Sequence, residues 1–143
     1  MSANLPLISI ALCTYNGEKY LCEQLGTLVG QTYPNLEIVV VDDASTDQTW
    51  TILNEFADCY PSIRLFRNTT NLGYQKNFER ALKHCQGEYL LISDQDDIWE
   101  KEKVTKLLAA VEENLMIYHD SVFIDEHGES IGMKMSDKCS DHF

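Results

Sequence analysis

Basic residues are scarce in this chain: 11 Lys+Arg stand against 23 Asp+Glu, a formal net charge of −12 over 143 residues. So acidic a surface repels a phosphate backbone and argues against nucleic acid as a partner. It serves solubility first and does not by itself indicate a metal. Long apolar runs are missing too, and no stretch approaches the ~18 to 20 residues of a membrane span. The opening "MSANLPLISI" has neither a basic n-region nor a cleavage site, so no secretion signal is read. There is no internal repeat, low-complexity tract or Pro/Gly linker, and the length suits one domain with a real core. The five cysteines, Cys13, Cys22, Cys59, Cys85 and Cys139, are odd in number and form no CxxC pair. The first four fall inside apolar patterns, as reduced core thiols would, which favours a cytoplasmic setting. The four histidines have no mutual spacing that suggests ligation, so surface roles are expected of them.

What the chain does have is alternation. Residues 7–13, "LISIALC", read as a short apolar strand, followed by a turn whose Asn16 is placed to cap a helix. Leu21, Leu25, Leu28 and Val29 mark one face of that helix, and Pro34 follows its end. A second strand, "LEIVVVDD" at 36–43, is apolar on consecutive positions, which suits burial on both faces of a parallel sheet. Ser45 and Gln48 have capping-box spacing, and Trp50, Leu53, Phe56 and Ala57 form the next helical stripe. "IRLFRN" at 63–68 is a third strand. A turn at Asn71 and Gly73 then leads to a stripe of Phe78, Ala81, Leu82 and Cys85, with Gly87 as the helix C-terminal glycine. "EYLLIS" at 88–93 reads as a fourth, buried strand. Asp97 and Glu100 stand in capping-box spacing ahead of a helix marked by Val104, Leu107, Leu108 and Val111. "LMIYHD" and "SVFIDEHGESI" suggest two more strands, the second leading into a turn at "EHGE"; "MKMSDKCSDHF" carries no usable period, and 129–143 are expected to be irregular or truncated. The pattern predicts an α/β domain, β-α-β-α-β-α-β-α-β-β, with a mainly parallel sheet.

The polar clusters all fall where a strand ends: Cys13 to Asn16, Asp42-Asp43, Asn68 to Gly73, and Asp94 to Asp97. In open α/β sheets ligands bind at the carboxyl ends of the strands, so four clusters on one edge predict a binding site. Turn chemistry accounts for Asp42. A second carboxylate adds nothing to a turn, which leaves Asp43 to accept hydrogen bonds from a ligand. Asp94 and Asp96 are two apart, and in an extended segment such residues share a side. Two carboxylates on one side are half of a hard-cation site, the other oxygens coming from water and ligand phosphates. The alternative is a solvated loop, and a lone D-x-D recurs often by chance. Lys76 is equally well read as a solvated lysine or a phosphate contact, and Glu18 as a helix N-terminal charge.

"ISIALCTYNGEKYL", "QTYPNLEIVVVDDASTDQT" and "NLGYQKNFERALKHCQGEYLLISDQDDIWEKEKV" together closely resemble family 2 glycosyltransferases, in order and spacing, over roughly residues 6–128. The resemblance implies a GT-A type, Rossmann-like domain with helices on both faces of the sheet, incomplete at its C-terminus. It implies an inverting enzyme that takes a nucleotide-diphosphate sugar, dTDP- or UDP-linked, to a glycan or lipid-linked acceptor in polysaccharide assembly. Carried over by position, Thr14, Tyr15 and Asn16 line the nucleotide pocket and Asp43 binds the base. Asp94-Gln95-Asp96 holds the ribose and a Mg²⁺ or Mn²⁺ ion, the metal falling to Asp96 with Asp94, and Lys76 is the nearest basic residue for the diphosphate. "SDQDDIW" is most similar to members that transfer rhamnose or related sugars.

The chain departs from the family in two places. Cys13 stands where many relatives have Pro, and the catalytic base, an acid in the family's second half, is expected beyond residue 143. The expected location is the cytoplasm, with the inner face of the membrane an open option for a full-length form. Two alternatives stay open on the residues alone. One is a phospho-acceptor receiver domain of a signalling pathway, although its acid pair normally ends the first strand and here the pair ends the second. The other is a nucleotide-sugar-binding module without turnover.

Overall fold

The computed structural model describes residues 4–117 and 119–139. Its elements run β1 (Ile8–Thr14), α1 (Glu18–Val29), β2 (Leu36–Asp42), α2 (Thr49–Cys59), β3 (Ile63–Arg67), α3 (Tyr74–His84), β4 (Tyr89–Ser93), α4 (Lys103–Val111), β5 (Val122–Ile124), β6 (Ser130–Lys134) and α5 (Met135–Cys139). The described residues fall into two compact units, one ending at Lys106 and the other starting at Leu107.

In the first unit β1 to β4 form one parallel sheet in the order β3-β2-β1-β4. The chain steps outward from β1 to β3, then α3 carries it back past β1 to β4. Right-handed crossovers in opposite directions place α1 and α2 on one face and α3 on the other. β1 and β2 lie in the middle and are buried almost throughout, as their unbroken apolar runs predict. Leu21, Leu25 and Leu28 of α1 are fully buried. On the α3 side Ala11, Cys13 and Val41 pack with Phe78 and Ala81.

β4 is an edge strand, which corrects its reading as buried. It pairs only with β1 among the described residues, and Leu90 and Ile92 are 50 % and 57 % exposed. An apolar run says that a strand suits burial; whether strands flank both its edges and helices cover both its faces is set by the tertiary arrangement.

Three caps are also corrected. Asn16 caps no helix: Gly17 is the N-cap of α1, and the Asn16 side chain accepts from Thr46 N–H at 2.8 Å. Ser45 turns back to Asp42, and α2 begins only at Thr49, whose N–H is held by Asp47 Oδ1 at 2.9 Å. Asp97 is no cap of α4 either: residues 99–101 are tied to α1 and to the turn that follows it before α4 starts at Lys103. Buried Trp99 donates from its backbone to Thr27 Oγ1, Gln31 Nε2 donates to Glu100 O, and Thr32 N–H donates to Lys101 O.

Gly87 is likewise no helix cap, since Cys85 ends α3. A Cβ on Gly87 would meet Ser9 N and Oγ at 2.6 Å and Leu7 O at 2.8 Å. Only a glycine lets the entry to β4 lie this close to β1. Among the described side chains four cysteines are free thiols, of which Cys13 is buried and Cys85 half-buried; Cys22 and Cys59 are exposed, against their reading as core thiols.

In the second unit β5 and β6 make an antiparallel hairpin with an irregular register. Residues 115–117 and 119–120 form no strand, and Tyr118 of that expected strand lies outside the described residues. The stretch expected to be irregular instead carries β6 and the short α5. No helix among the described residues is long and apolar enough to cross a membrane.

Candidate functional site

The strand order reverses between β1 and β4, and beyond the sheet's carboxyl edge a cleft of about 390 Å³ opens. A crevice at that switch point is where open α/β sheets bind ligands. Each of the four polar clusters reaches it: Cys13 to Tyr15 at the end of β1, Asp43 after β2, Asn71 and Gly73 after β3, and Asp94 to Asp96 after β4. Tyr74 and Asn77, from the first turn of α3, complete the lining.

A buried network fixes the floor. Asp42, fully buried, accepts from Thr14 Oγ1 at 3.0 Å and from Ser45 through both its N–H and its hydroxyl. Arg67 Nε lies 3.2 Å from the same carboxylate, and its Nη2 donates to Ser45 O. Asp42 is therefore structural, as its turn chemistry suggests. Next to it, Asp43 accepts from Asn68 Nδ2 at 2.7 Å, Leu72 N–H at 2.8 Å and Gly73 N–H at 2.9 Å. Three donors hold the carboxylate in place while it still faces the cleft.

Sequence reasoning missed Asn77. It is buried, donates to Val41 O at 2.9 Å, and accepts from Asn68 at 2.8 Å, so it fixes the residue that fixes Asp43. The signal for it is an asparagine flanking the apolar stripe of α3 directly after a glycine turn. Tyr74 was missed as well. Its ring packs edge-on against Phe78 with centroids 4.8 Å apart, and its hydroxyl donates to Asp94 Oδ1 at 3.2 Å.

At the far wall the D-x-D segment is a turn rather than an extended stretch, yet Asp94 and Asp96 both line the cleft. Gln24 of α1 holds the segment from behind, donating to Ser93 Oγ and, at 2.8 Å, to Asp94 O. Gln95 holds it from the front through the backbone of Tyr15. Charge accumulates here: burial first, and then the neighbouring Asp94 and Asp96 charges, push the Asp97 carboxyl up. Burial, then Asp43 and Asp94, likewise push the Cys13 thiol up to about 12, so it lines the cleft as an inert group and not as a nucleophile.

Two predicted site residues are not brought in. Lys76 is exposed on α3 outside the lining, with Glu79 within reach of its charge. Asn16, at φ 46°, has its side chain on Thr46 and is not part of the lining.

The lining thus carries three carboxylates and, among the described residues, no basic side chain. Two of them, Asp94 and Asp96, are hard oxygen donors on one wall, which suits Mg²⁺ or Mn²⁺. Among the described residues no group of three or more His, Cys, Asp or Glu is arranged to hold a metal. A cation here fits only if water and a ligand supply its remaining oxygens.

The family model described as Glycosyl transferase family 2 matches residues 9–137. The chain belongs to this family. That match leaves the receiver-domain alternative without support. The dTDP-rhamnosyl transferase RfbG of Shigella flexneri is 42 % identical over 98 residues, 65 % of this chain and 34 % of its own length. Among solved structures, S. aureus TarS 1-349 in complex with UDP superposes with a TM-score of 0.69 at 37 % identity, covering 75 % of this chain and 32 % of that one. The mannosyltransferase PcManGT from Pyrobaculum calidifontis, in complex with GDP-Man and Mn²⁺, gives 0.70 at 31 % identity, covering 74 % and 32 %. The α/β architecture is therefore the GT-A type that the resemblance implies. The chain spans between about a third and just over half the length of the curated relatives it matches.

Proposed function

We propose that this family 2 chain forms the donor side of an inverting glycosyltransferase. In this reading it binds a nucleotide-diphosphate sugar together with a divalent cation for transfer to a glycan or lipid-linked acceptor hydroxyl. One observation carries the reading: a cleft at the switch point lined by Asp43, Asp94 and Asp96 and, among the described residues, by no basic side chain. A diphosphate would be repelled from such a wall, and a cation shared between carboxylates and phosphates turns the repulsion into binding. The UDP, GDP-Man and Mn²⁺ named with the solved relatives support this.

Each residue then has a role. Thr14 and Tyr15 flank the nucleotide, and Asp43, held by its three donors, accepts from the base. Asp94 faces the ribose and the cation, and Asp96 holds the cation. Gln95 lies between them. Lys76 and Asn16 are left outside the first contact layer. When bound, the cation supplies Lewis-acid stabilisation of the leaving diphosphate. The three cleft carboxylates are all engaged on the donor side. We therefore assign deprotonation of the acceptor to an acid outside these residues. RfbG and the "SDQDDIW" segment favour a deoxyhexose such as rhamnose as the sugar, and polysaccharide assembly as the setting.

Calorimetric titration of UDP and dTDP in Mn²⁺ and in EDTA tests the reading. Binding of at least one nucleotide in Mn²⁺ and loss of it in EDTA is the expected outcome. Equal binding under both conditions, or none in Mn²⁺, overturns it.

A further inference from the structure

We propose that Gln95, the middle residue of the D-x-D segment, is a positioning residue and not a donor ligand, and that Gly17 is its socket; this rests on the donor-site reading above. The ladder between β1 and β4 ends where Leu12 stands opposite Ser93. Past that point no backbone hydrogen bond joins Thr14, at the end of β1, and Tyr15 to the loop carrying Asp94 and Asp96. The Gln95 amide takes over: its Oε1 accepts from Tyr15 N–H at 2.9 Å and its Nε2 donates to Tyr15 O at 3.1 Å. One side chain thus reproduces the donor-acceptor pair that a neighbouring strand would offer. Both polar atoms face the protein backbone, so the nucleotide side of the cleft and its carboxylate side are held at a set spacing.

Gly17 shows how tightly the amide is seated. A Cβ there would lie 2.4 Å from Gln95 Oε1 and 2.8 Å from its Cδ. The backbone of Gly17 sits at φ −104° and ψ 15°, a conformation open to other residues, so the amide and not the chain path requires the glycine. Other side chains fail at position 95 for separate reasons. Asn is one methylene short, and Glu has no donor for Tyr15 O. Gln24 and Thr27 hold the same loop from behind and the Tyr74 hydroxyl meets Asp94 across the cleft, while Gln95 ties the loop to the Tyr15 backbone.

The test is a double-mutant cycle read by nucleotide affinity in Mn²⁺, using whichever of UDP and dTDP the unaltered chain prefers. Gln95→Ala and Gly17→Ala should each weaken binding about tenfold, the scale of two lost hydrogen bonds. The double variant should bind no more weakly than Gln95→Ala, because the methyl at 17 then meets open space. Should Gln95→Ala fold poorly, Gln95→Met fills the socket without either hydrogen bond and should show the same loss. Unchanged affinity in these variants, or single losses that multiply to about a hundredfold, overturns the positioning role while leaving the donor site standing. No nucleotide binding by the unaltered chain in Mn²⁺ overturns the donor site, and the positioning role with it.

Discussion

Glu37 is a carboxylate in the middle of the sheet, buried in β2, and its fate follows from its partners. Burial alone would raise its pKa, but hydrogen bonds from Ser9 and Gln86 N–H and the Arg64 guanidinium outweigh that and lower it. A depressed folded pKa means that Glu37 stabilises the fold above its unfolded value near 4.5, and that this is lost as pH falls through the folded value. Glu37→Gln should therefore cost roughly 1–3 kcal/mol at neutral pH and weaken the fall in stability below about pH 4.5. Urea unfolding of both proteins between pH 3 and 7 checks this, and parallel curves would contradict it. The cysteines offer a second check. Alkylation by iodoacetamide at pH 8 should modify exposed Cys22 and Cys59 and spare Cys13, as read by peptide mass. At this scale the sequence shows residue types and spacings but not which partner a polar side chain chooses. Asn16, Ser45 and Asp97 have cap spacing, yet each finds a partner elsewhere: Thr46, Asp42 and the Asp94 N–H. Asp43 was legible as a cleft residue because a second carboxylate looked superfluous in a turn, whereas Asp94 and Asp96 reach the cleft from a turn and not from the extended segment expected of them.

Elements follow from periodicity where burial is two-sided. β1, β2 and the leucine face of α1 appear as their patterns predict, because consecutive apolar runs and 3.6-residue stripes answer directly to burial. β4 has the same apolar run with one face uncovered, and nothing local distinguishes the two cases. Gly87 was legible as a special position but for the wrong reason: the close approach to Ser9 and Leu7 is a tertiary contact between segments far apart in sequence. Gly87→Ala should destabilise the fold by roughly 1–3 kcal/mol through overpacking against backbone that cannot yield. Gly26→Ala is the control, since a Cβ there meets nothing within 4 Å and the helix gains propensity. Equal midpoints for the two variants in denaturant would contradict the close-approach account.

The whole molecule joins four sequence-distant clusters at one switch point, and this convergence was the most legible feature of all. It depends on connectivity, because parallel strands joined by helices all end on the same edge. The order β3-β2-β1-β4, the clamp between Tyr15 and Gln95, and the exclusion of Lys76 from the lining depend on packing and were not legible. The outcome is an anionic cleft in an anionic chain, chemically suited to a cation-bridged diphosphate. That is the central claim, and Asp96→Asn tests it most directly, because it removes a charge from the cation wall without changing side-chain size. Nucleotide affinity in Mn²⁺ should fall at least tenfold in the variant, while in EDTA both proteins bind equally weakly and both unfold at the same midpoint. Equal affinity of the two proteins in Mn²⁺ would contradict the assignment of the cation to Asp96.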